Sequence, residues 1–134
     1  MVDLKLVRPA NRDRHTAQTA GLRREAGIST ETADVHTIWL GYSYTPPGVT
    51  TGAHHHGDCE TGLYILSGHL RLRFGDKLEK TIEAQAGDFV FVPPKAIHLE
   101  ENLSETDSFE LIVARGCTDM LVVNVPDPRE QPSS

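Results

Sequence analysis

Apolar and polar positions alternate most clearly from His69 to Phe74, where Leu70, Leu72 and Phe74 take one phase and Arg71 and Arg73 the other. A period of two belongs to an extended strand with one face buried and one in water, the usual condition of an antiparallel sheet. Runs of similar character recur along the chain between turn residues. His36 to Tyr44, carrying Ile38, Trp39, Leu40, Tyr42 and Tyr44, stops at Pro46-Pro47-Gly48, and Leu63 to Leu66 stops at Ser67-Gly68. Gly75-Asp76 offers a hairpin turn into a returning strand from Leu78 to Ala84, and Ala86-Gly87-Asp88 offers the next turn. Phe89 to Val92 then ends at Pro93-Pro94, followed by short strands around His98, at Phe109 to Ala114 and at Met120 to Val125. The segment leading to Ile28 stays open between two readings. Ala17, Ala20, Leu22 and Ala26 suit a helix, whereas Thr16, Thr19 and Gly21 suit an irregular extended piece.

Several short strands, Gly/Pro turns and no long amphipathic helix predict an all-β fold, a small jelly-roll barrel. A barrel of that size holds a small ligand in its interior. At 134 residues the chain fits one domain. Residues 1–35 form a lead-in available to add a strand to the barrel or to a dimer, 36–125 form the barrel, and 126–134, with three prolines and two terminal serines, form a tail expected to be disordered.

Composition narrows the partners. Nineteen acidic against 13 basic residues give a formal charge of −6, which disfavours nucleic acid as a ligand. The acidic cluster Glu100, Glu101, Glu105, Asp107 and Glu110 reads as a solvated rim. No apolar run approaches the length of a membrane span, and Asp3 and Lys5 interrupt any signal-peptide core, so a cytoplasmic location is expected. Two cysteines, Cys59 and Cys117, are too few for a disulfide framework and are compatible with a reducing compartment. Uncovered sheet surface and edge strands lead us to expect a homodimer.

The candidate chemistry lies in His54-His55-His56, Glu60 and His98. In one extended strand, His54, His56 and Glu60 share a phase while His55 takes the other. Two imidazoles and a carboxylate are ligands for a divalent first-row metal, and His98 adds a fourth from another strand. His55 becomes a ligand only if the register shifts by one. His15, His36 and His69 have no ligand spacing. Tyr64, Leu66 and Phe91 are candidates to line a substrate pocket, as are Trp39, Tyr42 and Tyr44, although strand aromatics are more often plain core.

These residues resemble the two motifs of the cupin superfamily. Gly48, His54, His56, Glu60 and Gly68 match the first, and Gly87, Pro93, His98 and Asn102 match the second. Two positions depart. Seven residues (61–67) separate Glu60 from Gly68 where the family usually has six, and Lys95 replaces a glycine. The resemblance implies a barrel holding one divalent transition metal per chain (Mn, Fe, Ni, Co, Cu or Zn) through His54, His56, Glu60 and His98. It also implies a metalloenzyme acting on a small polar molecule by dioxygenase, isomerase, decarboxylase or lyase chemistry. The alternative is a binding or sensor protein without turnover. No acid/base residue is assigned.

Overall fold

The protein is described here from a computed structural model, which describes residues 2–118 and 122–130. A short 3-10 turn at Pro9–Asn11 precedes ten strands, and no α-helix occurs among the described residues. The strands are β1 (Arg23–Ile28), β2 (Trp39–Thr45), β3 (His54–His55), β4 (Thr61–Ser67), β5 (His69–Phe74), β6 (Lys80–Gln85), β7 (Phe89–Val92), β8 (His98–Asn102), β9 (Phe109–Arg115) and β10 (Val123–Asn124). They form two five-stranded antiparallel sheets, ordered β1-β2-β9-β4-β7 and β10-β3-β8-β5-β6. Apart from the β1–β2 and β5–β6 pairs, consecutive strands alternate between the sheets, in keeping with a jelly roll. The expected barrel is an open sandwich, because edge strands β6 and β7 pair only within their own sheets.

The period-two pattern of β5 decides its burial. Leu70 and Leu72 point into the sandwich and are buried, while Arg71 and Arg73 face out to Glu83 and Glu101. Facing them from the other sheet, Leu63, Ile65, Phe109, Leu111 and Val113 complete one apolar core with Ala26, Trp39, Ala84 and Val92. The two readings of the early segment resolve toward strand: β1 pairs antiparallel with β2, with Leu22, Arg24 and Ala26 inward. Of the strand expected at Met120 to Val125, the structure shows Val123–Asn124; residues 119–121 lie outside the described residues. In the terminal segment Asp127 accepts from the Arg129 amide at 2.9 Å, a local Asx turn, and residues 131–134 lie outside the described residues.

Candidate metal centre

Sheet register brings the histidines together. His54 on β3 is paired directly across from His98, the first residue of β8, and His56 follows the two-residue strand. Ring centroids are 4.3 Å apart for His54 and His98, 5.0 Å for His54 and His56, and 5.2 Å for His56 and His98. One ligand atom from each lies within 4.8 Å of the others, and all three side chains are buried. His55 takes the opposite phase, its Nδ1 accepting the Gly57 amide at 3.0 Å.

Hydrogen bonds fix which nitrogens face one another. His54 Nδ1 donates to the Gly52 carbonyl at 3.1 Å and His98 Nδ1 to the Ala96 carbonyl at 2.9 Å. Each Nε2 therefore keeps its lone pair, the form a metal accepts, and the carbonyls orient the rings. Burial is the main reason both rings stay neutral. It holds His98 down at about 4, with the Arg24 and Arg115 charges adding to the effect, and holds His54 well below the usual imidazole range, with His98, Arg24 and His56 adding. Three convergent neutral imidazoles suit a divalent transition metal, so the donor set fits.

Glu60 is not brought into this group. It is exposed, and the three histidines alone form the cluster among the described residues. The phase count from His54 to Glu60 assumed one continuous strand. Instead β3 ends at His55, Gly57 adopts φ 58°, and the Cys59 amide closes a turn onto the His56 carbonyl at 3.2 Å. The chain enters β4 at Thr61, which points inward, is buried, and has no hydrogen-bond partner for Oγ1 among the described residues. With six residues (62–67) between it and Gly68, Thr61 holds the motif's carboxylate position. The one-residue departure in spacing was the sequence signal for this substitution.

A carboxylate does enter the interior, from an unexpected place. Glu100, assigned above to a solvated rim, is fully buried on β8, with Oε2 lacking a hydrogen-bond partner among the described residues. It shares the inward phase of His98 and Asn102, which the run of acidic residues concealed. Burial raises its pKa while the Arg24 and Arg115 charges oppose that rise.

Those arginines were also missed. Arg24 continues the inward phase of Leu22 and Ala26, and Arg115 that of Phe109, Leu111 and Val113. Charges in an apolar phase were the available signal. Arg24 Nη1 donates to Thr19 Oγ1 at 2.8 Å, and its Nη2 donates to His54 Nε2 at 3.1 Å. Arg115 stands over the Trp39 ring, 5.4 Å from its centroid, and Trp39, Arg115 and Thr61 occupy one row across the sheet. Burial lowers Arg24 to about 10 and Arg115 to about 9, which leaves both cationic near neutral pH.

Beside His98 lies a cavity of about 150 Å³ with mostly apolar walls, including Leu72, Val90, Phe91, Val92 and Ala96. Of the pocket candidates, Phe91 lines it. Tyr64 and Leu66 fall on the outward phase of β4, where Tyr64 stacks on Phe89 at 4.8 Å. Trp39 is buried in the core, and Tyr42 and Tyr44 are half-buried on the outward phase of β2. The loop delivering His98 passes through Lys95 at φ 62°, the left-handed conformation that explains the family's usual glycine there.

Cys59 and Cys117 form a disulfide with their Cα atoms 6.0 Å apart. It joins the turn after His56 to the end of β9, segments 58 residues apart in sequence. Such bonds persist in oxidising surroundings, so the cysteines give no support to a reducing compartment. No helix among the described residues is long and apolar enough to cross a membrane.

The sandwich topology defines a small jelly roll, and three buried histidines that could hold a metal ion converge in it. The family model of the cupin domain matches residues 41–115, and the chain belongs to the cupin family. No curated protein matches it by sequence. Among solved structures, the polyketide cyclase RemF from Streptomyces resistomycificus aligns at TM-score 0.72 and 21% identity, covering 96% of this chain and 92% of that one. An oxalate oxidase aligns at TM-score 0.70 and 17% identity, covering 84% of this chain and 59% of the oxidase. Oxalate decarboxylase from Bacillus subtilis aligns at 0.71 and 21%, covering 83% of this chain and 29% of the decarboxylase. The chain thus spans less than two thirds of both oxalate enzymes, and at these identities the likeness establishes the fold. Manganese(II) centres are described for the Bacillus subtilis decarboxylase.

Proposed function

We propose that this cupin is a metal-dependent enzyme acting on a small polar molecule, with one divalent transition metal per chain held by His54, His56 and His98. The observation that carries this reading is the convergence of three buried imidazoles, two of which have their Nδ1 positions committed to backbone carbonyls. When bound, the metal would supply Lewis acidity or a redox centre with coordination positions open to a substrate. The chain's own residues do the rest. Gly52 and Ala96 orient the rings, Thr61 offers a hydroxyl from the facing sheet, and apolar side chains line the cavity beside His98. Dioxygenase, isomerase, decarboxylase and lyase chemistry are all open to such a site, as they are to the family's fold.

The protein should purify with about one metal per chain when neither chelator nor nickel affinity resin is used. Absence of metal, with none taken up on addition, would sink the reading. Turnover is then sought with the metal-loaded protein as oxygen uptake or product formation over catechol, thiol, keto-acid and hydroxy-acid substrates. Saturable binding without turnover across that panel would favour a binding module.

We further propose a homodimer built on the outer face of the β7-containing sheet. Phe89 and Phe91 are 80% and 62% exposed there, next to outward Tyr64 and Leu66. Solution scattering giving a monomer's mass would remove this claim.

A further inference from the structure

The segment Val2-Asp3-Leu4-Lys5-Leu6 alternates apolar and charged positions with the period of a strand, yet it joins no sheet among the described residues. Its apolar phase stands in water: Val2 and Leu4 are fully exposed and Leu6 is 69% exposed. Three neighbouring apolar side chains in that state form a surface that binding would cover. Val7, half-buried, roots the segment in a groove it shares with Ile28, Leu40 and Ile112 on the outer face of the β7-containing sheet. That is the face on which the homodimer is proposed above, so the segment leaves the body at the interface.

A free edge lies at the far corner of the sandwich. Among the described residues β6 pairs with β5 alone, and Lys80 to Glu83 are exposed along it. Ile82 sits across from the inward Leu72 and so takes the inward phase, but it is 42% exposed because no ladder joins β6 to β7. Between these two edges opens the cavity of about 150 Å³ that reaches His98, with Phe74, Ile82, Val90 and Phe91 in its wall. Ile82 and the 62% exposed Phe91 leave its mouth apolar and open to water.

The segment suits β6 better than β7. Run antiparallel to β6, a register that sets Leu6 opposite Ile82 also sets Leu4 opposite Ala84, Lys5 opposite Glu83 and Asp3 opposite Gln85. The leucines then face inward and the opposite charges meet on the outer face. On β7, any register that turns the leucines inward with Val90 sets Asp3 or Lys5 beside Phe89 and Phe91, and that strand spans only four residues before Pro93. The segment does not reach β6 of its own chain. From β9, under the Val7 groove, β7 is two strands away, about 10 Å, and β6 lies in the other sheet, a further 10 Å or so. Leu6 is one residue from Val7 and covers about 4 Å of that.

We propose that residues 2–6 of a second copy add as a strand to the free edge of β6, and that the second copy's Leu4 and Leu6 close the cavity beside His98, so that each copy completes the other's site. Exchange in both directions is the self-complementary pairing of a two-fold dimer, and it covers the segment and the edge of both copies together. The inference rests on the homodimer reading and adds to it the segment that joins the copies and the residues it brings to the site.

Sedimentation equilibrium of the unaltered protein and of the double variant Leu4→Asp, Leu6→Asp tests this. Each copy of the variant loses two apolar anchors, so the dimer dissociation constant should rise at least about tenfold. Unchanged affinity overturns the exchange and leaves a homodimer on the Phe89 face standing. An unaltered protein that sediments as a monomer overturns both. Carbodiimide coupling, which joins a lysine amine to a carboxylate in contact with it, then locates the segment in the unaltered protein. A mixture of nitrogen-15-labelled and unlabelled copies should give a Lys5 to Glu83 cross-linked peptide carrying one label state on each side, read by mass spectrometry. Absence of that mixed peptide overturns the seating on β6 whatever the double variant does, and the cross-link decides alone if the variant does not fold.

Discussion

The two ends of the sandwich interior are built on the same strands and filled with opposite chemistry. Along β9 the inward residues run Phe109, Leu111, Val113 and then Arg115; along β4, from the far end, they run Ile65, Leu63 and then Thr61. On the facing sheet the division runs between strands: Leu70 and Leu72 on β5 are apolar, while His98 and Glu100 on the neighbouring β8, with Leu72 paired across from Glu100, and His54 on β3 are polar. Both ends are buried. The apolar end stabilises the fold by removing carbon from water, whereas the polar end places cations, a carboxylate and imidazoles where each loses hydration. A fold that keeps such an end is stabilised elsewhere.

Substitutions should separate the ends. His98→Ala is expected to weaken metal binding by at least about 100-fold, since loss of a direct ligand should match or exceed the effect of disturbing its hydrogen-bond partner. Equilibrium dialysis with elemental analysis measures this, and near-native affinity would dismantle the site. Phe109→Ala, at the apolar end, should cost about 3 to 5 kcal/mol of stability in urea unfolding while the folded protein still takes up one metal. If that variant lost metal at native stability, the two ends would not be separable.

The disulfide ties the polar end shut across a long loop. Replacing both Cys59 and Cys117 with serine should lower stability by about 3 kcal/mol, read by thermal or urea unfolding. A change within error would mean that the unfolded chain is already constrained or that the bond is absent in solution.

Acid should act on the polar end through the same desolvation that keeps its imidazoles neutral. His98 titrates at about 4 when folded and near 6.5 when unfolded, so between those values the unfolded chain binds more protons. The contribution is complete above about pH 6.5 and falls away as pH drops through 4, a loss on the order of 3 kcal/mol in metal-free protein. His54 acts in the same direction. Bound metal should steepen the loss, because protonation and coordination compete for the same Nε2. Unfolding midpoints between pH 7 and 4, flat within error, would contradict the burial of these rings. The smallest effect belongs to Glu60→Gln, which should leave metal content unchanged; a large loss would return Glu60 to the coordination sphere.

Much of the fold was legible because it is local. The alternation in β5 and the apolar runs of β4, β7 and β9 each carry their own period, and Gly/Pro turns mark the intervals between them. His54, His56 and His98 were legible too, the first pair from spacing and the third from its place after Pro93-Pro94. Errors arose where a phase was carried across a break. Gly57 and the turn onto His56 ended the strand, so the inward position passed from Glu60 to Thr61. Glu100 looked like one acid among several on a rim, yet β8 turns it to the same side as His98.

The sequence by itself determined most of the strands and turns from β2 onward and singled out the three imidazoles, because each depends on neighbours within a few residues. Only the tertiary structure decided that Arg24 meets His54, that Trp39, Arg115 and Thr61 share a row, and that Cys59 reaches Cys117. Those contacts join residues distant in the chain. Strand register and the packing of one sheet on the other fix them, and neither is written in a local period.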